Sequence, residues 1–481
     1  MKKVISMMMA LVAIVLMTAS CSKGNENAKA IPMDAPVVVK ADLKSLAEKG
    51  ALKDNKELQT QMQEGLKSLS PALQAKAKAV IDDPMEAGFA LQQPMFFAVA
   101  DTDKDQYVVA IGVDDKKKVD ELFKSMKDDC KTMKITEGDD QTVIDDEDMQ
   151  IAYNGDLFVA TVGAKNAATL LTQDKDKSIL SQDKYEKMLE GTNDIDAYID
   201  YAALTKTASK FSKQAANAAI DKLTEGMYII ANVNFEEKEA VINTEFFGNK
   251  EFLKLCEEVE KKPSGDYLKL APADAYLVAQ CGVKDFDKIK EILPKAETEQ
   301  IDQQLKAMGL SIDQILKAIE GDILISVAPN GSQPMPQISF ALACKDQKVW
   351  EAITKTAEPM GQGMLEKKDA NSYTAKVQAL AGMDYTISYD GKAIVITPVT
   401  APAKNFNDNE NAKVVKDGGF FIDMQQIMSN QQVKGMAGKD GEKLADIQSI
   451  SGTSGGTKGQ YKVTFNKPGN ALATIIKMTQ K

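Results

Sequence analysis

Along the chain, short apolar runs of strand length alternate with stretches in which apolar residues return every third or fourth position. The first pattern belongs to β-strands, the second to helices that bury one face. Residues 37–39, 96–100, 107–113, 157–162 and 197–200 read as strands, as do 276–279, 324–328, 337–343, 393–397 and 420–423. Val119, Leu122, Phe123 and Met126 mark the core face of one helix, and Val349, Ala352 and Ile353 that of another. Asp42 and Asp285 stand at helix N-caps, where a short side-chain oxygen satisfies the free N–H groups of the first turn. Asn154-Gly155 and Asp390-Gly391 separate strand pairs and predict type I′ turns, whose central residues need positive φ.

These elements run twice in one order. Pro32-Met33-Asp34-Ala35 precedes the first strand of one half, and Pro272-Ala273-Asp274-Ala275 that of the other. Strand, strand, amphipathic helix, hairpin and a strand ending in Asp200 or Asp423 then follow, which predicts duplication. The first half carries a longer helical insert, residues 55–81, divided at Pro71. The second has a shorter counterpart around 301–319. A closing hairpin is expected over 227–233 and 240–247. Its counterpart, 447–465, is expected to be interrupted by the Gly/Ser-rich residues 451–456. Lys261-Lys262-Pro263-Ser264-Gly265 reads as a linker. The expected fold is therefore α+β: two similar halves, 31–262 and 265–481, each a mainly antiparallel sheet with helices packed on it.

The N-terminus is of another kind. Lys2 and Lys3 precede an apolar stretch over 4–17, and Thr18-Ala19-Ser20-Cys21 follows. The stretch is too short for a spanning helix and has the anatomy of a signal peptide, expected over 1–20. Small residues before a cysteine resemble the bacterial lipobox, which makes Cys21 the expected lipidation site and new N-terminus. The polar residues that follow read as a tether over 21–30.

Composition narrows the chemistry. Histidine is absent and all 59 basic residues are lysine, against 70 acidic ones, for a net charge of −11. Without histidine there is no imidazole base or imidazole metal ligand. Without arginine there is no planar fork for phosphate or carboxylate. The acidity disfavours nucleic acid, whose binding depends on neutralised phosphates. Cys130, Cys256, Cys281 and Cys344 form no C-x-x-C pair; buried free thiols are expected, with disulfides as the alternative.

The lipobox cysteine, the Pro-x-Asp-Ala entry and the doubled strand–helix body together resemble large envelope lipoproteins of Bacteroidota, catalogued as domains of unknown function. The resemblance implies an envelope lipoprotein and brings no catalytic residues with it.

Candidate sites are few. Asp145, Asp146 and Asp148 belong to the densest acidic cluster and could attract a divalent cation, although such runs are normally solvated. Asp101-Thr102-Asp103-Lys104-Asp105 opens like a calcium loop but lacks its glycine and its closing glutamate, and reads as a hairpin loop. Gly452-Thr453-Ser454-Gly455-Gly456 fits G-x-S-x-G without a histidine, and Ser181-Gln182-Asp183-Lys184 fits S-x-x-K without its companion motifs. Trp350 is expected in the core. No cofactor is implied. The expected function is an outer-membrane-anchored binding or scaffold protein for a protein, peptide or glycan, held at the membrane by its N-terminal lipid. The alternative is a lysine- or carboxylate-based hydrolase of envelope polymers.

Overall fold

The computed structural model describes residues 24–52, 55–67, 69–127, 129–205, 224–292, 295–307, 309–331, 335–360, 364–376, 383–429, 438 and 440–480. The expected signal segment and Cys21 lie outside the described residues. The chain forms two compact units, one of residues 1–213, 228–244 and 467–481, the other of 214–227 and 245–466. The division expected at 262–265 is thus displaced, and the last helix, Ala471–Gln480, belongs to the first unit. Ser264 and Gly265, read as linker, are pinned: their backbone N–H groups donate to the buried carboxylate of Asp322 at 2.9 and 3.0 Å.

In the first unit the strands are β1 (Val37–Ala41), β2 (Met95–Asp101), β3 (Gln106–Gly112), β4 (Lys134–Glu137), β5 (Thr142–Asp146), β6 (Met149–Tyr153), β7 (Leu157–Val162), β8 (Ile195–Asp200), β9 (Tyr228–Phe235) and β10 (Glu239–Phe247). Their spatial order is β10-β9-β8-β1-β2-β3-β7-β6-β5-β4. The second unit begins with the two-residue β11 (Glu260–Lys261), then β12 (Leu277–Val283), β13 (Gly321–Ala328), β14 (Gln337–Ala343), β15 (Leu365–Asp369), β16 (Ser372–Ala375), β17 (Tyr385–Tyr389), β18 (Ala393–Pro398), β19 (Gly419–Asp423), β20 (Ile447–Gly455) and β21 (Lys458–Phe465). Apart from β11, which pairs with the end of β12, their order is β21-β20-β19-β12-β13-β14-β18-β17-β16-β15. Strand for strand this is the order of the first unit. The strand pairs are antiparallel in both, and their registers agree: Val37 lies opposite Val99 and Ile199, and Leu277 opposite Val327 and Ile422.

Local chemistry explains the element ends. Asp42 caps helix Leu43–Lys49 by accepting from the Ser45 N–H. Ser70 caps helix Pro71–Asp82, with Pro71 at its first turn where no N–H is needed, so the insert breaks there from helix Lys56–Leu66. Asp285 instead precedes a 3-10 helix, Phe286–Ile292. The two expected type I′ turns are three-residue loops. Asn154 Oδ1 accepts from the N–H groups of Asp156 and Leu157, and Asp390 Oδ1 from those of Lys392 and Ala393. The side chain stands in for a backbone turn, and only Gly391 has positive φ, +88°. Of the stretch expected to interrupt the last hairpin, residues 451–455 are strand in β20, and Gly456, with φ +58°, lies in the turn to β21. A Cβ at Gly452 would come within 2.8 Å of the Tyr461 and Phe420 rings, so glycine is what lets the strand pass. The tether is shorter than expected: Glu26–Ala30 is a 3-10 helix with Asn27, Ala28 and Ala30 buried, and the Asn27 amide donates to the Pro94 carbonyl at 2.9 Å.

Each sheet has an inner and an outward face. In the second unit the inner face buries Val278, Leu324, Ala341, Val395 and Phe421 against Phe406, Ala412 and Val415. In the first, Val38, Phe96, Val108 and Tyr198 are buried. Tyr198 meets Tyr185 at 4.4 Å, and the Tyr185 hydroxyl donates to the Ala35 carbonyl at 2.8 Å.

Candidate functional site

The acidic cluster lies at the β5–β6 turn, and its side chains part there. Asp145 and Asp146 are successive strand residues and point to opposite faces. Asp145 accepts from the Gln150 amide at 3.0 Å. Asp146 is buried, and its Oδ1 accepts no hydrogen bond among the described residues. Asp148 sits beyond Glu147, whose φ is +37°, and its carbonyl accepts from Gly163 N–H. No group of three cysteine, aspartate or glutamate side chains that could hold an ion occurs among the described residues.

The other motifs are likewise held by local structure. Asp101 Oδ1 accepts from the N–H groups of Asp103 and Lys104, and its carboxylate meets the Lys104 ammonium at 2.9 Å, closing the β2–β3 hairpin. That hydrogen bond holds the Asp101 carboxyl below the usual range. The Ser181 hydroxyl donates to the Asp176 and Ser178 carbonyls, while the Lys184 ammonium lies 5.0 Å over the Tyr185 ring and 5.5 Å over Tyr198. Serine and lysine therefore serve different partners. Trp350 is buried and stacks on Tyr389 at 6.1 Å, as a core residue does.

Ser454, Gly455 and Gly456 line a cleft of about 440 Å³ together with Cys256, Glu260, Lys262 and Asp417. Two of its charged groups, Lys262 and Glu260, have partners among its own lining residues. Lys262 pairs with Asp417 at 2.6 Å, and Glu260 Oε2 accepts from Gly456 N–H at 2.7 Å. Burial, and then the nearby Glu260, push the Cys256 thiol up, which disfavours the reactive thiolate. All four cysteines described are free thiols. Cys130 and Cys344 are buried and Cys256 is half-buried, but Cys281, expected in the core, is exposed.

The position of Cys281 reveals the larger feature. It lies on the outward face of β12, opposite Ile323, with Leu342 next across on β14. Ala279, Ile325, Phe340 and Ile396 form the next cross-strand row, and Ile422, Leu277, Val327 and Ile338 the one after. No charged side chain occupies these rows. Ile325 and Ile338 are 42% and 43% exposed. Antiparallel sheets ordinarily turn polar residues to solvent, so this apolar face departs from the usual alternation. Helices Ile312–Ala318 and Gln347–Met360 cover one flank of this face through Ala318, Val349 and Trp350, all buried. The packed cluster there includes Tyr373, Tyr389 and Ile394, and none of the outward residues of β12 or β13.

The sequence held a sign of this face in the unbroken apolar runs at 323–325 and 340–343, which lack a polar alternate. Such runs mark strands that are apolar on both faces.

The described residues form an α+β body of antiparallel sheets with one apolar face left partly open. A family model described as "Domain of unknown function (DUF4836)" matches residues 27–450, and the chain belongs to that family. No curated protein matches the chain. Among solved structures, crystal forms IV and I of TP0453 are similar at 10% identity. Form IV has a TM-score of 0.30 over 47% of this chain and 81% of that one. Form I has 0.29 over 48% and 79%. Likeness at this level carries no argument about function.

Proposed function

We propose that the chain is an envelope lipoprotein, anchored to the outer membrane by lipid on Cys21, that works as a binding or scaffold protein and not as an enzyme. The observation that carries the binding role is the open, uncharged sheet face on β12–β14. The non-catalytic reading draws on the missing histidine and arginine, on the separate engagements of Ser181 and Lys184, and on the paired charges of the 440 Å³ cleft. The anchor reading draws on the signal-like N-terminus. No helix among the described residues is long and apolar enough to cross a membrane.

Packing at the N-terminus adds a geometric consequence. The Asn25 amide donates to the Leu189 carbonyl at 2.9 Å, so the body is fastened four residues after Cys21. Four extended residues reach about 14 Å, so the first unit would ride close to the lipid headgroups. The two units descend, in this account, from one duplicated repeat; their shared strand order and register support it. The ligand class includes protein, peptide and glycan partners.

Cys21→Ala tests the anchor. The variant is expected in the soluble fraction after high-salt washing of membranes, where the unaltered chain stays bound. A Cys21→Ala chain that remains with the membrane would remove the lipid premise. A turnover screen on esters, peptides and glycans is expected to find no activity that a single substitution abolishes.

A further inference from the structure

We propose that Met133, Asp146 and Met149 form a binding site for a soft monovalent cation, Cu(I), within the first unit. The three side chains make one cross-strand row. Asp146 ends β5 on the face that buries Thr142 and Ile144, and it lies opposite Met149 of β6. On its other side β5 pairs Asp145 with Lys134, which brings Met133, one residue before β4, level with Asp146. Facing side chains in such rows have Cβ atoms about 5 Å apart, so a thioether stands on each side of the carboxylate. Met133, Asp146 and Met149 are 6%, 4% and 5% exposed. Both methionines belong to the core that also holds Met126 and Cys130.

Three other buried aspartates show what such a carboxylate normally takes. Asp194 accepts from the Phe235 N–H at 2.6 Å and the Lys49 ammonium at 2.7 Å. Asp196 accepts from the Asn193 and Asn232 amides at 2.6 and 2.7 Å. Asp322 accepts from the N–H groups of Ser264 and Gly265 and from the Gln280 amide. Asp146 Oδ1 is buried and accepts nothing among the described residues. Leaving a buried carboxylate oxygen unpartnered is costly, and a thioether has no hydrogen to donate to it. What the neighbours do offer is sulfur lone pairs. Thioether sulfur selects Cu(I), whereas hard ions such as calcium take roughly six to eight oxygens. One carboxylate balances one positive charge, so the loaded site is neutral. Asp145 takes no part, because it points to the opposite face of β5.

The second unit keeps the row without its chemistry. Leu365, Ala375 and Tyr385 stand in the places of Met133, Asp146 and Met149, paired in the same register. The Tyr385 hydroxyl is engaged there by the Ile338 N–H at 3.2 Å. Carboxylate and thioethers at this position are therefore particular to the first unit, on the same backbone plan.

The test uses the full chain with Cys21→Ala, Cys256→Ser and Cys281→Ser, which removes the expected acyl anchor and the two thiols that are not buried. Anaerobic titration with Cu(I) against the chromophoric chelator bathocuproine disulfonate is expected to show a single tight equivalent. Met133→Leu combined with Met149→Leu should weaken that binding by about tenfold or more, and Asp146→Asn by a similar factor. These replacements nearly conserve volume, so the fold should survive them, and unfolding midpoints of the metal-free chains check that it does. Cu(I) should raise the thermal midpoint of the parent chain and leave those of the variants in place. X-ray absorption at the copper edge should show sulfur neighbours that the double leucine variant loses. Absence of a tight equivalent, unchanged affinity in either folded variant, or a copper spectrum indifferent to the leucines would each overturn the proposal.

Discussion

The outward faces of the two sheets are built from the same kind of residue and are finished differently. On the first unit, Met95, Val109 and Val162 pack into a cluster with Leu43 and Leu46 of one helix, Leu73 and Val80 of another, and Leu122 and Phe123 of a third. On the second, helices reach Tyr373, Tyr389 and Ile394 and stop short of Ile325. The first unit has a helix directly after β1 and a long insert before β2, whereas the second has a 3-10 helix directly after β12. The covering helices thus reach further across the first sheet, to Met95 and Val109, than across the second, where they reach no residue of β12 or β13. A second contrast sits beside it. Trp350 follows Val349 as Asp120 follows Val119. The ring stacks on Tyr389, whereas the carboxylate accepts from the Tyr153 hydroxyl at 2.9 Å. Burial, and then Asp120, push that hydroxyl's pKa upward.

Substitutions can break this comparison at its strongest point first. Trp350→Ala should cost about 3–5 kcal/mol, because a buried ring leaves a cavity that strands cannot close. Denaturant unfolding should show the loss, and a change below about 1 kcal/mol would remove Trp350 from the core. Leu73→Ala should cost about 3 kcal/mol if its helix closes the first sheet; a near-neutral result would mean that face is covered by something else.

Lys40→Met comes next. The Lys40 ammonium donates to the Leu189 and Gly191 carbonyls at 2.6 and 2.7 Å beside the buried Asp196, so its removal should cost roughly 2 kcal/mol at neutral pH. Burial lowers the Lys40 pKa below 10.5, against the opposing pull of Asp196 and Asp42. The unfolded chain then binds the more protons, so this group's contribution improves as pH rises through the folded value toward 10.5, and Lys40→Met should flatten that alkaline slope. Ile325→Ser, the outward counterpart, should change stability by less than about 0.5 kcal/mol; a large loss would mean the second face is already closed.

Most central strands were legible because hydrophobic period is local, whereas the short strands Lys134–Glu137, Thr142–Asp146, Leu365–Asp369 and Ser372–Ala375 carry too little apolar period to be read. Residues 337–343 were readable in full from their apolar run, and Asp42 from its place before a helical spacing. What covers a face is not local. Where both faces of β13 are apolar, alternation cannot say which one meets helices, so Ile325 and Ile338 carried no distinguishing mark. Polarity misled at the N-terminus, where Asn27 looks like tether but is buried once its amide reaches the Pro94 carbonyl. It misled at the acidic cluster too, because adjacent strand residues diverge however dense the charge.

The most direct test of the account places a photo-crosslinking side chain at Ile325 in one variant and at its register equivalent Phe97 in another, each in intact cells. The open face predicts adducts from position 325 to molecules outside the chain, and from position 97 only links within it. Equal external labelling from both positions, or none from 325, would contradict the claim that the two sheets share a plan and differ in what they leave open.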